Sequence, residues 1–287
     1  MRSISEIEDM RAAVRAVRVK EQKVGLVPTM GALHEGHLSL VRRARDLSDV
    51  VVMSIFVNPA QFGRGEDFDR YPRDLAHDAG LAAEAGVDIL FTPSVSEIYP
   101  ENFSTYTTVE GISERYEGVS RPGHFRGVAT VVLKLLHIAQ PDVAVFGQKD
   151  AQQNAVIKLL VADLDMDVEV MVATTVREKD GLAMSSRNAY LSPKEREAAV
   201  VISAALKRAE GRVVEGDLDA RRIAGGLAEE IAREPLAAID YVDVVSPMTF
   251  APVDVVEPGS VAIIAARFGA TRLIDNVVLH PPAPEGR

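Results

Sequence analysis

Short unbroken runs of apolar residues, rich in Val and Ile, recur through the first half of the chain, and amphipathic stretches separate them. The runs at residues 24–29, 50–57, 87–91, 143–146 and 168–172 have the length and β-branched content of strands buried on both faces. Between them, residues 38–47, 74–85, 128–139 and 151–162 place apolar side chains at helical spacing. Strands alternating with helices predict a parallel sheet covered on both faces, a Rossmann-like doubly wound α/β domain. After about Val176 the rhythm changes. A charged, glycine-containing loop, REKDGLAMSSRN (177–188), leads into two helical stretches starting near Pro193 and Leu218. Three strand-like runs follow, at 238–245, 261–266 and 271–279, joined by segments too short for crossover helices. This predicts a smaller C-terminal α+β domain with antiparallel strands, and so two domains, 1–175 and 176–287.

Composition agrees with that division. A chain of 287 residues is longer than one compact core usually needs. With 47% hydrophobic and 26% charged residues it has enough apolar surface to offset the entropy of ordering it, so lack of order is expected only at the ends. The tail PPAPEGR, 281–287, is the best candidate, because its prolines donate no backbone hydrogen bond and its remainder offers nothing to pack. There is no cysteine, which excludes disulfides, thiolate metal sites and a cysteine nucleophile, and a reducing cytoplasm is the natural setting. The N-terminus carries charges throughout, unlike a signal peptide, and no later stretch is apolar enough to span a bilayer, so no membrane association is expected. The net charge of −10 opposes broad binding to nucleic acid. An anionic small substrate would need a local cationic pocket.

Chemistry concentrates at the ends of the predicted strands. In VGLVPTMGALHEGHLSLVRRA an apolar strand ends at Pro28, a loop holding Gly31 follows, and a helix begins near His34 or Gly36. Unpaired N–H groups at a helix start sit at the positive end of the helix dipole, so a phosphate can dock there, and glycine permits close approach. Neither GxGxxG nor the Walker A lysine pattern is present, which argues against ordinary dinucleotide and P-loop folds. His34 and His37, three residues apart, would share one face of a helical turn and could both donate to one phosphoryl group; the bland alternative is a surface pair or a satisfied cap. The likeness to HExxH zinc proteases fails, because the second histidine comes one residue too early.

Asn58 and Gln61 in FVNPAQF follow the strand at 50–57, where neutral amides could read hydroxyl or carboxylate groups or simply form a polar turn. In FGQKDAQQ, Lys149 lies just beyond a strand end, placed to neutralise phosphate or merely to be solvated. The loop MSSRN joins two hydroxyls to an arginine, a set that suits phosphate oxygens. RPGHF adds His124 beside Arg121, whereas His137, inside VVLKLLHIA, reads as a packed helix residue.

Taken in order, PTMGALHEGH, SIFVNPAQF, DRYPRD, RPGHFRGVATVV, FGQKDAQQ, DGLAMSSRN and ARFGATRLIDN closely resemble the pantoate–beta-alanine ligase (pantothenate synthetase) family of the nucleotidyltransferase superfamily, over nearly the whole chain. The resemblance implies ATP-dependent joining of (R)-pantoate to beta-alanine through a pantoyl-adenylate, with release of AMP and pyrophosphate and a requirement for Mg²⁺. It implies an ATP site of Met30, Gly31, Ala32, Leu33, His34, Glu35, Gly36 and His37, completed by Gly147, Gln148, Lys149, Asp150, Val176, Met184, Ser185, Ser186 and Arg187. Within it His37 takes the proton-donor place, with His34 and Lys149 on the phosphates. Gln61 and Gln153 should hold pantoate, with Asn58 and His124 as further candidates for the pantoate and beta-alanine sites. Metal ligands are not specified by the motifs; Asp78 is one candidate. The second domain should act as a lid over the site, and a homodimer is expected. Two positions depart from the family pattern: Gln148 stands where an acidic residue is usual, and Ala151 where an aromatic is common. Neither is assigned to the chemistry. A dinucleotide-forming adenylyltransferase, a tRNA-charging enzyme and a silent nucleotide-binding protein are the rival readings.

Overall fold

A computed structural model of the chain describes residues 1–63 and 65–282, so residues 283–287 of the tail lie outside the described residues. It divides into two compact units, Met1–Gln148 with Gln152–Thr174, and Lys149–Ala151 with Thr175–Arg287. The first contains β1 (Arg2–Ile4), α1 (Ile7–Arg18), β2 (Val24–Thr29), α2 (Glu35–Leu47), β3 (Val50–Ile55), α3 (Leu75–Glu84) and β4 (Ile89–Phe91). It continues through α4 (Val95–Ile98), α5 (Glu117–Ser120), α6 (His124–Ala139), β5 (Val143–Gly147), α7 (Ala151–Asp163) and β6 (Glu169–Ala173).

The six strands form one sheet in the order β1-β4-β3-β2-β5-β6, and every pairing is parallel. From β2 the chain steps outward through β3 and β4, then returns to place β5 on the other side of β2. The carboxyl ends of β2 and β5 therefore flank a topological switch point, where adjacent loops turn apart and leave a crevice. The period-two geometry of strands explains how both faces are filled. Leu26, Val52, Ile89, Phe91, Ala144 and Phe146 join Met10 and Val14 of α1 and Val128, Val132 and Leu135 of α6 in one core. Their neighbours Val27, Val51, Met53, Leu90, Val143 and Val145 join Leu40, Val41 and Ala44 of α2 and Ala82 of α3 in another. Helices thus cover both faces, as the alternation of strand and helix patterns predicts.

Three features of this unit were not legible in the pattern. β1 is three residues long, too short to show a period. α1 buries only Met10, Ala13 and Val14 among many charges, so its apolar stripe is thin. α6 starts at His124 rather than 128, because the left-handed Gly123 (φ +84°) turns the chain directly into a helix whose first residues are a buried histidine and a buried phenylalanine.

The second unit holds α8 (Pro193–Ala198), α9 (Val200–Val214), α10 (Ala220–Ile231), β7 (Ala237–Val245), β8 (Val261–Phe268) and β9 (Thr271–Val278). The strands form an antiparallel sheet in the order β7-β8-β9. Its own core unites Ile202, Leu206 and Ala209 of α9, Ile223 and Leu227 of α10, and Ala262, Ile264 and Phe268 of β8. At the start of α8, Ser192 and Glu195 form a reciprocal capping box, which satisfies two N–H groups that the first turn leaves open.

Candidate active site

β2 delivers the PTMGALHEGH segment to the switch point, and a chain of hydrogen bonds then fixes its path. The Thr29 hydroxyl donates to the Ser54 carbonyl on β3 (2.7 Å) and accepts from Gly31 N–H (3.2 Å). Gly31 and Ala32 both take left-handed backbone angles, φ +81° and +51°. A side chain on Gly31 would be strained, and its Cβ would stand 2.9 Å from Asp78 Oδ2. Asp78, 2% exposed on α3, accepts from Ala32 N–H on one carboxylate oxygen and from Leu33 N–H on the other, both at 2.8 Å. Its observed role is to hold the left-handed turn. Among the described residues no group of three or more His, Asp or Glu side chains is placed to hold a metal ion.

The two histidines cap α2 reciprocally. His34 Nδ1 accepts from Gly36 N–H (3.2 Å), His37 Nδ1 accepts from His34 N–H (3.3 Å), and the rings lie 4.1 Å apart, tilted by 36°. A neutral imidazole that accepts at Nδ1 carries its proton on Nε2, so the cap itself sets both tautomers and makes each ring an Nε2–H donor. The expectation of bare backbone N–H groups at this helix start is thereby corrected. The N–H groups of Gly31, Ala32, Leu33, His34, Gly36 and His37 all have partners within the protein. Of the two readings posed by the sequence, the structure shows the satisfied cap, and its geometry leaves each imidazole able to act as a donor at Nε2. Glu35, next in the chain, is held by Arg42 at 2.6 and 3.1 Å, and this pairing keeps its carboxyl below the usual range despite a small opposing effect of burial.

β3 leads to a 3₁₀ turn, Pro59–Gln61, that packs on the start of α6. Gly127 makes this approach possible, since a Cβ there would overlap the Ala60 carbonyl. Asn58 is 1% exposed and all four of its hydrogen-bonding positions are used internally. Its Nδ2 donates to Gln61 Oε1 (3.0 Å) and to the Gly127 carbonyl (3.1 Å); its Oδ1 accepts from Ala60 N–H (3.2 Å) and from the Tyr99 hydroxyl (2.8 Å). The Asn58 amide, expected to read substrate, is thus engaged with Gln61, Tyr99 and the backbone. Gln61 directs its Nε2 to the Met30 sulfur (3.0 Å). Met30 also walls a cleft of ≈ 310 Å³ shared with Phe56, Phe68, Arg73 and Thr92 at the ends of β3 and β4.

His124 is likewise engaged within the protein. It is 9% exposed, its Nδ1–H donates to the Gln61 carbonyl (2.9 Å), and its Nε2 accepts from Arg121 (3.1 Å). Burial, reinforced by the Arg121 charge, lowers its pKa to about 4, so the ring is a neutral strut behind Gln61. Arg121 in turn forks onto Glu66 at 3.0 and 2.7 Å. Burial alone would raise Glu66, but this pairing holds its carboxyl below the ordinary value. On α7, Gln153 is half-buried, whereas its neighbour Gln152 is buried and pins the Ile112 and Arg115 carbonyls at 2.9 and 2.8 Å. At the end of β5 the Gly147 carbonyl accepts from Asn154 (2.9 Å), and Gln148 follows in a 3₁₀ turn.

In the second unit, Lys149 and Asp150 stand 3.8 Å apart, and the Lys149 carbonyl accepts from Asn276 on β9 (2.9 Å). The preceding residue, Asp275, is 3% exposed and binds Arg177 at 2.6 and 3.1 Å. Arg177 pairs with Ala183 in an isolated bridge, and Met184 N–H donates to the Val176 carbonyl (3.0 Å), so Val176 and the MSSRN loop are held side by side. Ser185 caps the following 3₁₀ turn by accepting from Arg187 N–H (3.3 Å), with Ser186 and Arg187 half-buried. Asn188 donates to Glu178 (2.8 Å), which also pairs with Arg196 (2.6 Å). These struts, Asn276, Asp275, Glu178 and Arg196, escaped the sequence reading; only the RLIDN part of the C-terminal motif signals two of them.

The chain is similar to known proteins over nearly its whole length. The family model described as pantoate-beta-alanine ligase matches residues 2–278. The pantothenate synthetase of Acetivibrio thermocellus is 54% identical over 280 residues, 98% of this chain and 100% of that one. That of Pelotomaculum thermopropionicum is 54% identical over 273 residues, 95% of this chain and 97% of its own. Among solved structures, the pantothenate synthetase from Thermus thermophilus superimposes with a TM-score of 0.93 at 47% identity, covering 98% of this chain and 100% of that one. The pantoate-beta-alanine ligase from Francisella tularensis, a complex with beta-gamma ATP and beta-alanine, gives 0.80 at 35% identity over 97% of each. A six-stranded parallel sheet with helices on both faces, two capped imidazoles at its switch point and relatives matched from end to end lead to one conclusion: the chain belongs to the pantoate-beta-alanine ligase family.

Proposed function

We propose that the chain joins (R)-pantoate to beta-alanine with ATP, giving pantothenate, AMP and pyrophosphate through a pantoyl-adenylate. The observation that carries this reading is the pair of imidazoles at the switch point, each with its proton set on Nε2 by the cap of α2. A pantoate carboxylate attacking the α-phosphorus of ATP must overcome repulsion between two anions while pyrophosphate departs. Donors fixed before the reaction offset that developing charge without reorganisation, each contributing about 3–4 kcal/mol. His37 and His34 supply two, with His37 as proton donor, and Lys149, Ser185, Ser186 and Arg187 add cationic and hydroxyl contacts to phosphate. Gln61, with Gln153, binds pantoate. Activation makes AMP the leaving group, so the beta-alanine amine attacks an acyl carbon that a free carboxylate would never present.

Mg²⁺ would arrive with the nucleotide. Among the described residues no group of three or more acidic or imidazole side chains is placed to hold it, and an ion bound with the nucleotide would supply neutralisation of phosphate charge. No described helix is long and apolar enough to cross a membrane. A cytoplasmic homodimer is the working form in this proposal, to be checked by sedimentation.

A dinucleotide-forming adenylyltransferase would require a mononucleotide acceptor. The deciding experiment supplies ATP, pantoate and beta-alanine and identifies products by mass, with pyrophosphate exchange measured in pantoate alone. Pantothenate and AMP, with exchange in the absence of beta-alanine, are expected. Exchange only with a mononucleotide overturns the proposal.

A further inference from the structure

Tyr99 belongs to none of the motifs that carry the chemistry, yet its hydroxyl ends on the side chain that holds Gln61. The ring packs against Phe56 and edge-on against Phe103, with centroids 6.1 and 5.0 Å away, and the hydroxyl donates to Asn58 Oδ1 (2.8 Å). The orientation of Asn58 follows from two backbone groups of fixed polarity. The Gly127 carbonyl can only accept, so it faces the Asn58 nitrogen; Ala60 N–H can only donate, so it faces the oxygen. With Asn58 Nδ2 thus directed at Gln61, the Gln61 atom that meets it must be the oxygen, and Nε2 turns toward Met30. Rotating the Gln61 amide would bring two NH₂ groups together.

We infer that Tyr99 is a positioning residue for the acid substrate: through Asn58 it locks the Gln61 carboxamide so that this position offers an N–H donor and selects an acceptor oxygen, carboxylate or hydroxyl. The inference rests on the reading of Gln61 as a pantoate contact. The Met30 thioether that Nε2 meets is a weak acceptor, so exchanging it for a substrate oxygen is favourable. A phenol donating to Oδ1 also polarises the Asn58 amide and strengthens its donation to Gln61. Burial, with a smaller contribution from neighbouring Tyr106, raises the Tyr99 pKa against the lowering effect of its bond to Asn58, so the hydroxyl keeps its proton throughout the neutral range.

Tyr99→Phe retains the ring and removes only the hydroxyl. Loss of one neutral hydrogen bond to the buried Asn58 should lower the melting temperature slightly and raise the KM for pantoate about fivefold, while the KM for ATP stays at the parent value. In a ¹⁵N spectrum the Gln61 side-chain NH₂ resonances should shift. Gln61→Ala, measured beside it, separates the possible failures. A raised pantoate KM in Gln61→Ala with none in Tyr99→Phe overturns the positioning role and leaves the pantoate contact standing. An unchanged pantoate KM in Gln61→Ala removes the contact and the inference together. Equal rises in the KM for pantoate and ATP would mark Tyr99 as structural only.

Discussion

The two regions to which the proposed chemistry is assigned are built in different ways. Around Gly31–His37 and Asn58–Gln61 the struts are largely uncharged and buried or half-buried: imidazoles, carboxamides, a threonine and a phenol, tied to strand ends and to α6, with Asp78 engaged by backbone N–H groups. Around Val176–Asn188 the loop is held by charge, through Arg177 with the buried Asp275 and through Arg196 with Glu178 and Asp180, and apart from Asp275 these charged side chains are half-buried or exposed. Buried hydrogen bonds are costly to break because the groups left behind cannot reach water. Half-exposed ion pairs lose little, because water and salt replace them. The first region should therefore fix geometry and respond sharply to substitution, and the second should tolerate change in its struts.

The largest effect is expected in the first region. His37→Ala removes a fixed donor and half of the capping pair, and should lower pantoate-dependent pyrophosphate exchange roughly 10²- to 10³-fold with the far-ultraviolet spectrum retained. Near-normal exchange would deny the imidazole its role.

An effect of similar order on stability, visible only in acid, should come from His124. Its pKa is held at about 4 against an ordinary 6.5 by burial and by the Arg121 charge, so the folded state favours the neutral ring and the unfolded chain takes up the proton first. The contribution is whole above pH 6.5 and is lost as the pH falls through 4, about 3 kcal/mol in all. His124→Asn can still donate to the Gln61 carbonyl but does not titrate. Urea midpoints of parent and variant followed across that range should converge toward low pH, and parallel curves would break the assignment.

The smallest effect is expected from Arg196→Gln in the second region, where the arginine is 25% exposed and its partners Glu178 and Asp180 are 32% and 45% exposed. A loss of about 0.5 kcal/mol, fading at high salt, is expected from urea unfolding. A loss exceeding that of His124 protonation would reverse the contrast between the regions.

Much of this molecule is written in short-range pattern. The β-branched runs and the helical spacing between them specify the sheet, its parallel sense and the antiparallel sheet that follows, because burial on one or two faces imposes its period directly on the residues. The motif PTMGALHEGH likewise announces two histidines after a strand and a glycine. Only the tertiary structure decided what the polar residues do. Asp78 lies more than forty positions from the loop it holds, Tyr99 forty-one from Asn58, and His124 sixty-three from Gln61. A hydrogen bond depends on distances held to within a few tenths of an ångström between groups brought together by folding, and no local spacing encodes it. Sequence alone therefore set which chemistry the chain could perform. The fold decided which side chains face a substrate and which hold those that do.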